Sequence, residues 1–219
     1  MVGKRLYSVI RAVVRPFFAV LFPCKYVNRN NLPKSGNYIL CSNHIANIDP
    51  ILIALGQKRK FVTMAKSELF HNKFIGGVLR FMGAFPVERG TGDSDAIGYA
   101  QQALIDGNVM LIFFEGTRSK TGELLRPKTG VSVIAYQTKS PIIPVCITPK
   151  QSKMKIFRKN IITFGDPIMP EDFGIEKGSG MEYRALSRKI MERIAAMREQ
   201  DKKRLLGAKY VENQNGTDK

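Results

Sequence analysis

Histidine, cysteine and long apolar runs are all scarce in this chain. It has two histidines, His44 and His71, and three cysteines, Cys24, Cys41 and Cys146. The cysteines are odd in number, far apart and without CxxC spacing, so neither a disulfide framework nor a zinc site has its materials. A reducing compartment, no metal and no cofactor are expected. No Gly-x-Ser-x-Gly elbow occurs, which argues against a serine hydrolase of that type. Repeats and long low-complexity linkers are missing, and no apolar run approaches the ~20 residues needed to span a bilayer. The 219 residues, 44% of them hydrophobic, are enough for one domain with a substantial core.

Acid is missing from two stretches. The first acidic residue is Asp49, and Lys4, Arg5, Arg11, Arg15, Lys25, Arg29 and Lys34 precede it. Between Glu123 and Asp166 stand Arg126, Lys128, Lys139, Lys150, Lys153, Lys155, Arg158 and Lys159. A net charge of +17 implies an anionic partner: nucleic acid, anionic lipid or an acidic small molecule. The first stretch also carries oil, in Leu6 to Ile10, Ala12 to Val14 and Phe17 to Phe22. Arg11, Arg15 and Pro16 interrupt it, and no small-x-small cleavage site follows, which disfavours a secretory signal. The reading is a membrane-interface segment over 1–32, with its apolar side chains at the acyl boundary and Lys4, Arg5, Arg11 and Arg15 on anionic headgroups. Pro16 is expected to break or kink it. The plainer alternative is a helix docked on the protein's own core.

Beyond the loop Asn28 to Pro33 the chain alternates short apolar runs with helical patterns. Strands are expected at Tyr38 to Cys41, Phe61 to Met64, Ala84 to Val87, Val109 to Phe114, Ile142 to Ile147 and Ile161 to Phe164. Helices are expected at Pro50 to Leu55, with Asp49 as N-cap, and at Asn72 to Phe81, Ser94 to Ile105, Lys128 to Thr138 and Glu182 to Leu206. The order argues for a single α/β domain over 33–210, a largely parallel or mixed sheet flanked by helices, with a flexible polar tail at 211–219.

In such sheets, ligands gather where strands give way to loops. Ser42 to Pro50 follows the Tyr38 strand and contains His44 and Asp49. Imidazole is the best general base near neutral pH, and a carboxylate on its other nitrogen fixes the tautomer. On an extended strand the two would stand roughly 16 Å apart, so the chain must turn between them. Gly83 to Arg89 ends a strand in an arginine. Phe113 to Ser119 runs a strand into Glu115, Gly116, Thr117 and Arg118. Arginines at loop mouths can grip phosphate bidentately, and Gly116 would let backbone N–H groups approach an anion. Ile143-Pro144-Val145 reads as an edge or bulged strand. Cys41 is the tempting covalent nucleophile, but residues three apart on a strand lie ~10 Å apart on opposite faces.

Taken together and in order, Asn43-His44 through Asp49, Gly83 to Arg89, Phe113 to Arg118 and Ile143-Pro144-Val145 resemble the signature blocks of the glycerolipid acyltransferases. They resemble most closely those of the 1-acylglycerol-3-phosphate acyltransferases. The resemblance covers roughly Pro33 to Asp166, and departs at Phe114, where the family has proline. It implies that His44, oriented by Asp49, takes the proton from an sn-2 hydroxyl attacking an acyl thioester. It also implies that Arg89 and Arg118, with Thr117 and Lys128, hold the acceptor's phosphate, that Gly116 belongs to the same substrate-binding loop, and that Glu115, also of that site, orders the loop or an arginine. The implied partners are an anionic membrane surface, lysophosphatidic acid as acceptor, and acyl carrier protein or acyl-coenzyme A as donor. The implied place is the cytoplasmic face of the membrane, peripheral or monotopic. Acylation of glycerol 3-phosphate or another lysophospholipid remains the alternative. A nucleic-acid-binding protein or a membrane tether would leave His44 and the ordered blocks unexplained.

Overall fold

The computed structural model describes residues 4–88 and 94–207. In chain order the elements are α1 (Lys4–Leu21), β1 (Cys24–Val27), β2 (Tyr38–Ser42), α2 (Asp49–Gly56), β3 (Phe61–Lys66), α3 (Lys73–Phe81) and β4 (Ala84–Val87). There follow α4 (Ser94–Ile105), β5 (Val109–Phe113), α5 (Gly130–Thr138), β6 (Ile142–Pro149), β7 (Asn160–Phe164) and α6 (Gly180–Leu206). The strands form one seven-stranded sheet in the order β1-β7-β6-β2-β5-β3-β4. From β6 to β4 every neighbouring pair is parallel; β7 runs antiparallel to β6, and β1 parallel to β7. The sheet is therefore mixed. Its helix-bearing connections join the parallel strands, as chain geometry demands.

Strand β2 lies at the centre and is buried throughout. Its side chains alternate between two cores, as the period-two pleat requires. Ile39 and Cys41 join Met110, Leu104, Ile134, Ile190 and Ile194 on the face covered by α4, α5 and α6. Tyr38 and Leu40 join Leu52, Ile53, Leu111, Val145 and Ile162 on the face covered by α2, with Phe18 and Phe22 packed against them. Ser179 opens α6 in a capping box with Glu182, each satisfying a backbone N–H of the other.

Several expectations change. Cys24–Val27, read from sequence as part of the N-terminal segment, is β1, registered on Asn160 to Thr163. Helix α1 continues through Pro16 rather than stopping there. The proline deprives the Ala12 carbonyl of its intrahelical donor, but both residues face solvent, where water can replace it. Pro144 lies in the interior strand β6, not at an edge. It sits one residue before the antiparallel ladder with β7 begins, and Gly165 N–H reaches its carbonyl at 2.8 Å. Phe114, which stands in place of a proline, is 2% exposed and fills the α4/α5/α6 core. The tail 211–219 lies outside the described residues.

Candidate active site

Register places the site. Ser42 at the end of β2 is opposite Phe113 at the end of parallel β5, so the loops carrying His44 and Glu115 leave the sheet side by side. The crevice at the carboxyl ends of adjacent parallel strands is where this architecture presents chemistry.

Between His44 and Asp49 the chain turns back, and His44 Nδ1 lies 2.7 Å from Asp49 Oδ2. The same carboxylate oxygen accepts the N–H of Ile45 at 2.6 Å and of Ala46 at 2.9 Å. Asp49 is fully buried and stands at the first position of α2, after Ile48. It is thus not the helix N-cap expected from sequence: its carboxylate points back into the turn it closes. Because a carboxylate only accepts, Nδ1 donates to it and Nε2 is left as the free base. The His44 side chain is 12% exposed, enough to meet a reactant at its outer edge.

One further contact holds the imidazole ring and two more hold the backbone around it. The ring stacks on Phe113, centroids 3.9 Å apart and planes at 19°. The His44 backbone carbonyl accepts Ser119 N–H at 2.8 Å, binding the His44–Asp49 turn to the loop after β5. The neighbouring Asn43 side chain accepts Ile147 N–H at 2.8 Å and donates to Ile147 O at 3.0 Å, imitating one more peptide of the sheet. Sequence reasoning assigned no role to Phe113, Ser119 or Ile147, which come together only through register.

Glu115 is buried, and its Oε1 accepts Leu125 N–H at 3.2 Å. Burial pushes its carboxyl up to about 7, against the pull of that N–H. Its inward position suits ordering of the loop. The Gly116 N–H donates to Phe113 O at 3.1 Å and closes the turn. Its φ of 73° is the left-handed conformation that glycine adopts freely. Thr117, Arg118 and Lys128 are exposed at the mouth. Lys128 N–H reaches Phe114 O at 2.7 Å, and a methyl group on Gly116 would lie 3.5 Å from Lys128 Cγ, so the lysine stem passes over the turn. Arg89 lies outside the described residues.

Gly122, further along this loop, gave no signal in the sequence. A Cβ there would lie 1.7 Å from the Ser152 carbonyl oxygen, and its φ is 85°, so only glycine allows the loop to meet the β6–β7 connection. Cys41 is fully buried, and burial raises its thiol well above the ordinary range, which removes it as a nucleophile. Among the described residues no cluster of three or more metal-ligating side chains occurs.

A mixed α/β sheet with a His–carboxylate pair and a basic loop mouth at the ends of its parallel strands defines a base-assisted transferase or hydrolase class. The acyltransferase family model matches residues 24–148, which include the His–carboxylate pair, the loop mouth and the parallel strands that carry them, and the chain belongs to the acyltransferase family. It is 32% identical over 152 residues to a 1-acyl-sn-glycerol-3-phosphate acyltransferase of Bacillus subtilis, spanning 68% of this chain and 75% of that one. A protein of the same name from Streptococcus pneumoniae is 33% identical over 186 residues, 82% of this chain and 69% of that one. The crystal structure of a 1-acyl-sn-glycerophosphate acyltransferase from Thermotoga maritima shares the fold, with TM-score 0.73 at 22% identity, covering 91% of this chain and 79% of that one.

Proposed function

We propose that this acyltransferase moves a fatty acyl chain from a thioester to the sn-2 hydroxyl of 1-acylglycerol 3-phosphate, forming phosphatidic acid for phospholipid biosynthesis. The observation that carries the reading is the 2.7 Å pair of His44 Nδ1 and Asp49 Oδ2 beside the loop bearing Thr117 and Arg118. His44 Nε2 accepts the hydroxyl proton as the oxygen attacks the thioester carbonyl carbon. The tetrahedral intermediate collapses with cleavage of the C–S bond, and the departing sulfur takes the proton back from the imidazolium. Asp49 stabilises that imidazolium and holds its tautomer. Arg118, Thr117 and Lys128, with Arg89, grip the acceptor's phosphate and fix the hydroxyl against His44, which is catalysis by positioning. Glu115 and Gly116 shape the loop that presents them.

The acceptor is a lipid, and α1 supplies the means of reaching it. Its inner face turns Tyr7 and Phe18 inward and packs beside α2, and Arg11 Nη1 donates to Gln57 O at 2.9 Å. Arg11 therefore faces the protein instead of lipid headgroups. The outer face bears Leu6, Val9, Val13, Phe17 and Val20 at helical spacing, Val13 being 69% and Phe17 61% exposed. The two readings of the segment combine, one face docked on the core and the other bare. No described helix is long and apolar enough to cross a membrane. The reading is peripheral attachment to an anionic bilayer through residues up to Phe22, the sheet and its other helices forming the catalytic body. The three free cysteines suit the cytoplasmic face. Acyl carrier protein and coenzyme A are both acidic, and the basic surface suits either donor.

The test is incubation of the purified protein with labelled acyl-carrier-protein and acyl-coenzyme A thioesters and a panel of acceptors. Label in phosphatidic acid from lysophosphatidic acid is expected. Preferential transfer to glycerol 3-phosphate or to a lysophospholipid lacking the free phosphate would reject the acceptor assignment.

A further inference from the structure

The second acid-free stretch lends Lys128 to the chemistry just described, but its later part, residues 150–159, has no role there, and the structure gives that part a definite place. Residues 150–159 connect β6 to β7, closed at their base by Lys150 N–H on Lys159 O at 3.0 Å. At the tip Ile156 is 54% and Phe157 67% exposed, unusual values for two adjacent large apolar side chains. Lys153, Lys155, Arg158 and Lys159 around them are exposed, and none of the ion pairs among the described residues engages them. Phe157 has φ 60°, a left-handed conformation that a bulky aromatic seldom adopts. It is held there by its N–H, which donates to the Leu21 carbonyl at the end of α1, 2.7 Å away. A strained backbone that displays an aromatic to solvent costs stability on both counts, and strain of this kind clusters at functional sites.

The tip is continuous with two other parts of the molecule. Through Leu21 it abuts the end of α1, whose outer face is bare and apolar as far as Val20. Through Met154 and Ile156 it forms one wall of an open cavity of about 450 Å³, whose other walls are Phe22 and the catalytic turn at Ala46, Asn47 and Ile48. Its base, at Ser152, rests on Gly122 of the loop that follows Arg118.

We propose that the β6–β7 connection is a second membrane anchor. Ile156 and Phe157 enter the acyl boundary of an anionic bilayer while the surrounding lysines and Arg158 meet headgroup phosphates. An aromatic and an aliphatic tip ringed by cations is the chemistry of an interfacial wedge. A nucleic acid would draw on the cations but give no reason for Ile156 to be bare. The proposal rests on the membrane reading of α1 and adds to it: one helix fixes a line on the bilayer and leaves rotation about that line free. A second point beside the helix end removes that freedom and holds the catalytic turn at a set height over the lipid.

The chain contains no tryptophan, so Phe157→Trp makes the tip its own reporter. With vesicles of phosphatidylglycerol and phosphatidylcholine, its emission is expected to shift to the blue and to be quenched by lipids brominated on their acyl chains. Phe17→Trp serves as the matching reporter on α1. Phe157→Ser is expected to lower vesicle partitioning several-fold while turnover on a freely dissolved short-chain lysophosphatidate stays unchanged. Emission from Trp at 157 that is indifferent to vesicles, while the α1 reporter responds, overturns the second anchor and leaves the first. If neither reporter responds and the protein fails to sediment with vesicles, the membrane reading falls and this proposal with it. A response at 157 to single-stranded oligonucleotide but not to vesicles also overturns it.

Discussion

The His44–Asp49 turn and the outer face of α1 are built on opposite principles. At the turn, one oxygen of Asp49 holds Nδ1 of His44 and the backbone N–H groups of Ile45 and Ala46, while Asn43 is locked to Ile147 in both directions. The contacts there are directional, and Asp49 Oδ2 alone serves three of them. On α1, Leu6, Val9, Val13, Phe17 and Val20 expose apolar area with no directional partner in the protein. Damage to the first arrangement removes function in one step, because the parts act as a unit. Damage to the second subtracts area, roughly in proportion. The contrast can be tested by substitutions in both regions.

The sharpest break comes at Asp49. Asp49→Asn keeps an oxygen for the two backbone N–H groups, so the turn and the melting temperature should be nearly kept. It removes the charge that supports imidazolium, and turnover should fall by about 10³-fold or more, as in His44→Ala. Turnover with freely dissolved substrate is the measurement. Near-normal activity in Asp49→Asn, with His44→Ala inactive, would reduce Asp49 to a structural closure of the turn.

Glu115 makes one part of the rigid region sensitive to pH. Its carboxyl, held by burial at about 7 against 4.5 in an ordinary setting, keeps its proton in the folded state where the unfolded chain has released it. The folded state then binds more protons between these values, so stability falls as pH rises across that window. The contribution is fully present below about pH 4.5 and lost as pH passes 7, a change of about 3 kcal/mol. Urea unfolding at pH 5 and pH 8, which spans most of that window, should show a smaller loss in Glu115→Gln than in the parent. Equal pH dependence in both proteins would contradict the inward placement of the carboxyl.

Arg118 lies between the two regimes, exposed but directional. Loss of a charge-assisted phosphate contact should raise the acceptor KM of Arg118→Ala about tenfold to a hundredfold and leave the thioester KM alone. Varying both substrates separates these effects. An unchanged acceptor KM would remove Arg118 from the phosphate grip.

The same contrast governs what could be read from sequence. Directional chemistry leaves local traces: the His44 to Asp49 spacing, the Phe113 to Arg118 run, and α4 and β4, whose ends fall where the pattern puts them. What depends on register does not. Phe113 under the imidazole follows from the pairing of β2 with β5, which no local window contains. Strand β1 is four residues with a lysine among them, at the sheet edge, and gains its identity only from β7. Gly122 reads as an ordinary loop glycine until Ser152 is brought against it. On α1 the composition signalled an amphipathic segment, but not which arginine would turn inward, since Gln57 meets Arg11 only in the folded state.

The smallest effect is expected where the structure is most permissive. Val13→Ser with Phe17→Ser removes apolar area from the outer face of α1 without touching Tyr7, Arg11 or Phe18, which dock the helix. Folding stability should therefore change little, since solvent-facing substitutions away from special features stay within about 0.5 kcal/mol. Vesicle partitioning should fall about tenfold, because two side chains no longer leave water, while Ile156, Phe157 and the remaining stripe still hold. Activity should fall with membrane-embedded acceptor and persist with a dissolved one. Salt refines the result: charges are screened by salt but apolar insertion is not, so 0.5 M salt should weaken binding of the parent without abolishing it. The double variant, deprived of area, should be released by salt far more readily than the parent. If the parent itself is fully released by salt, the contact is electrostatic alone, and the bare face of α1 needs a different partner.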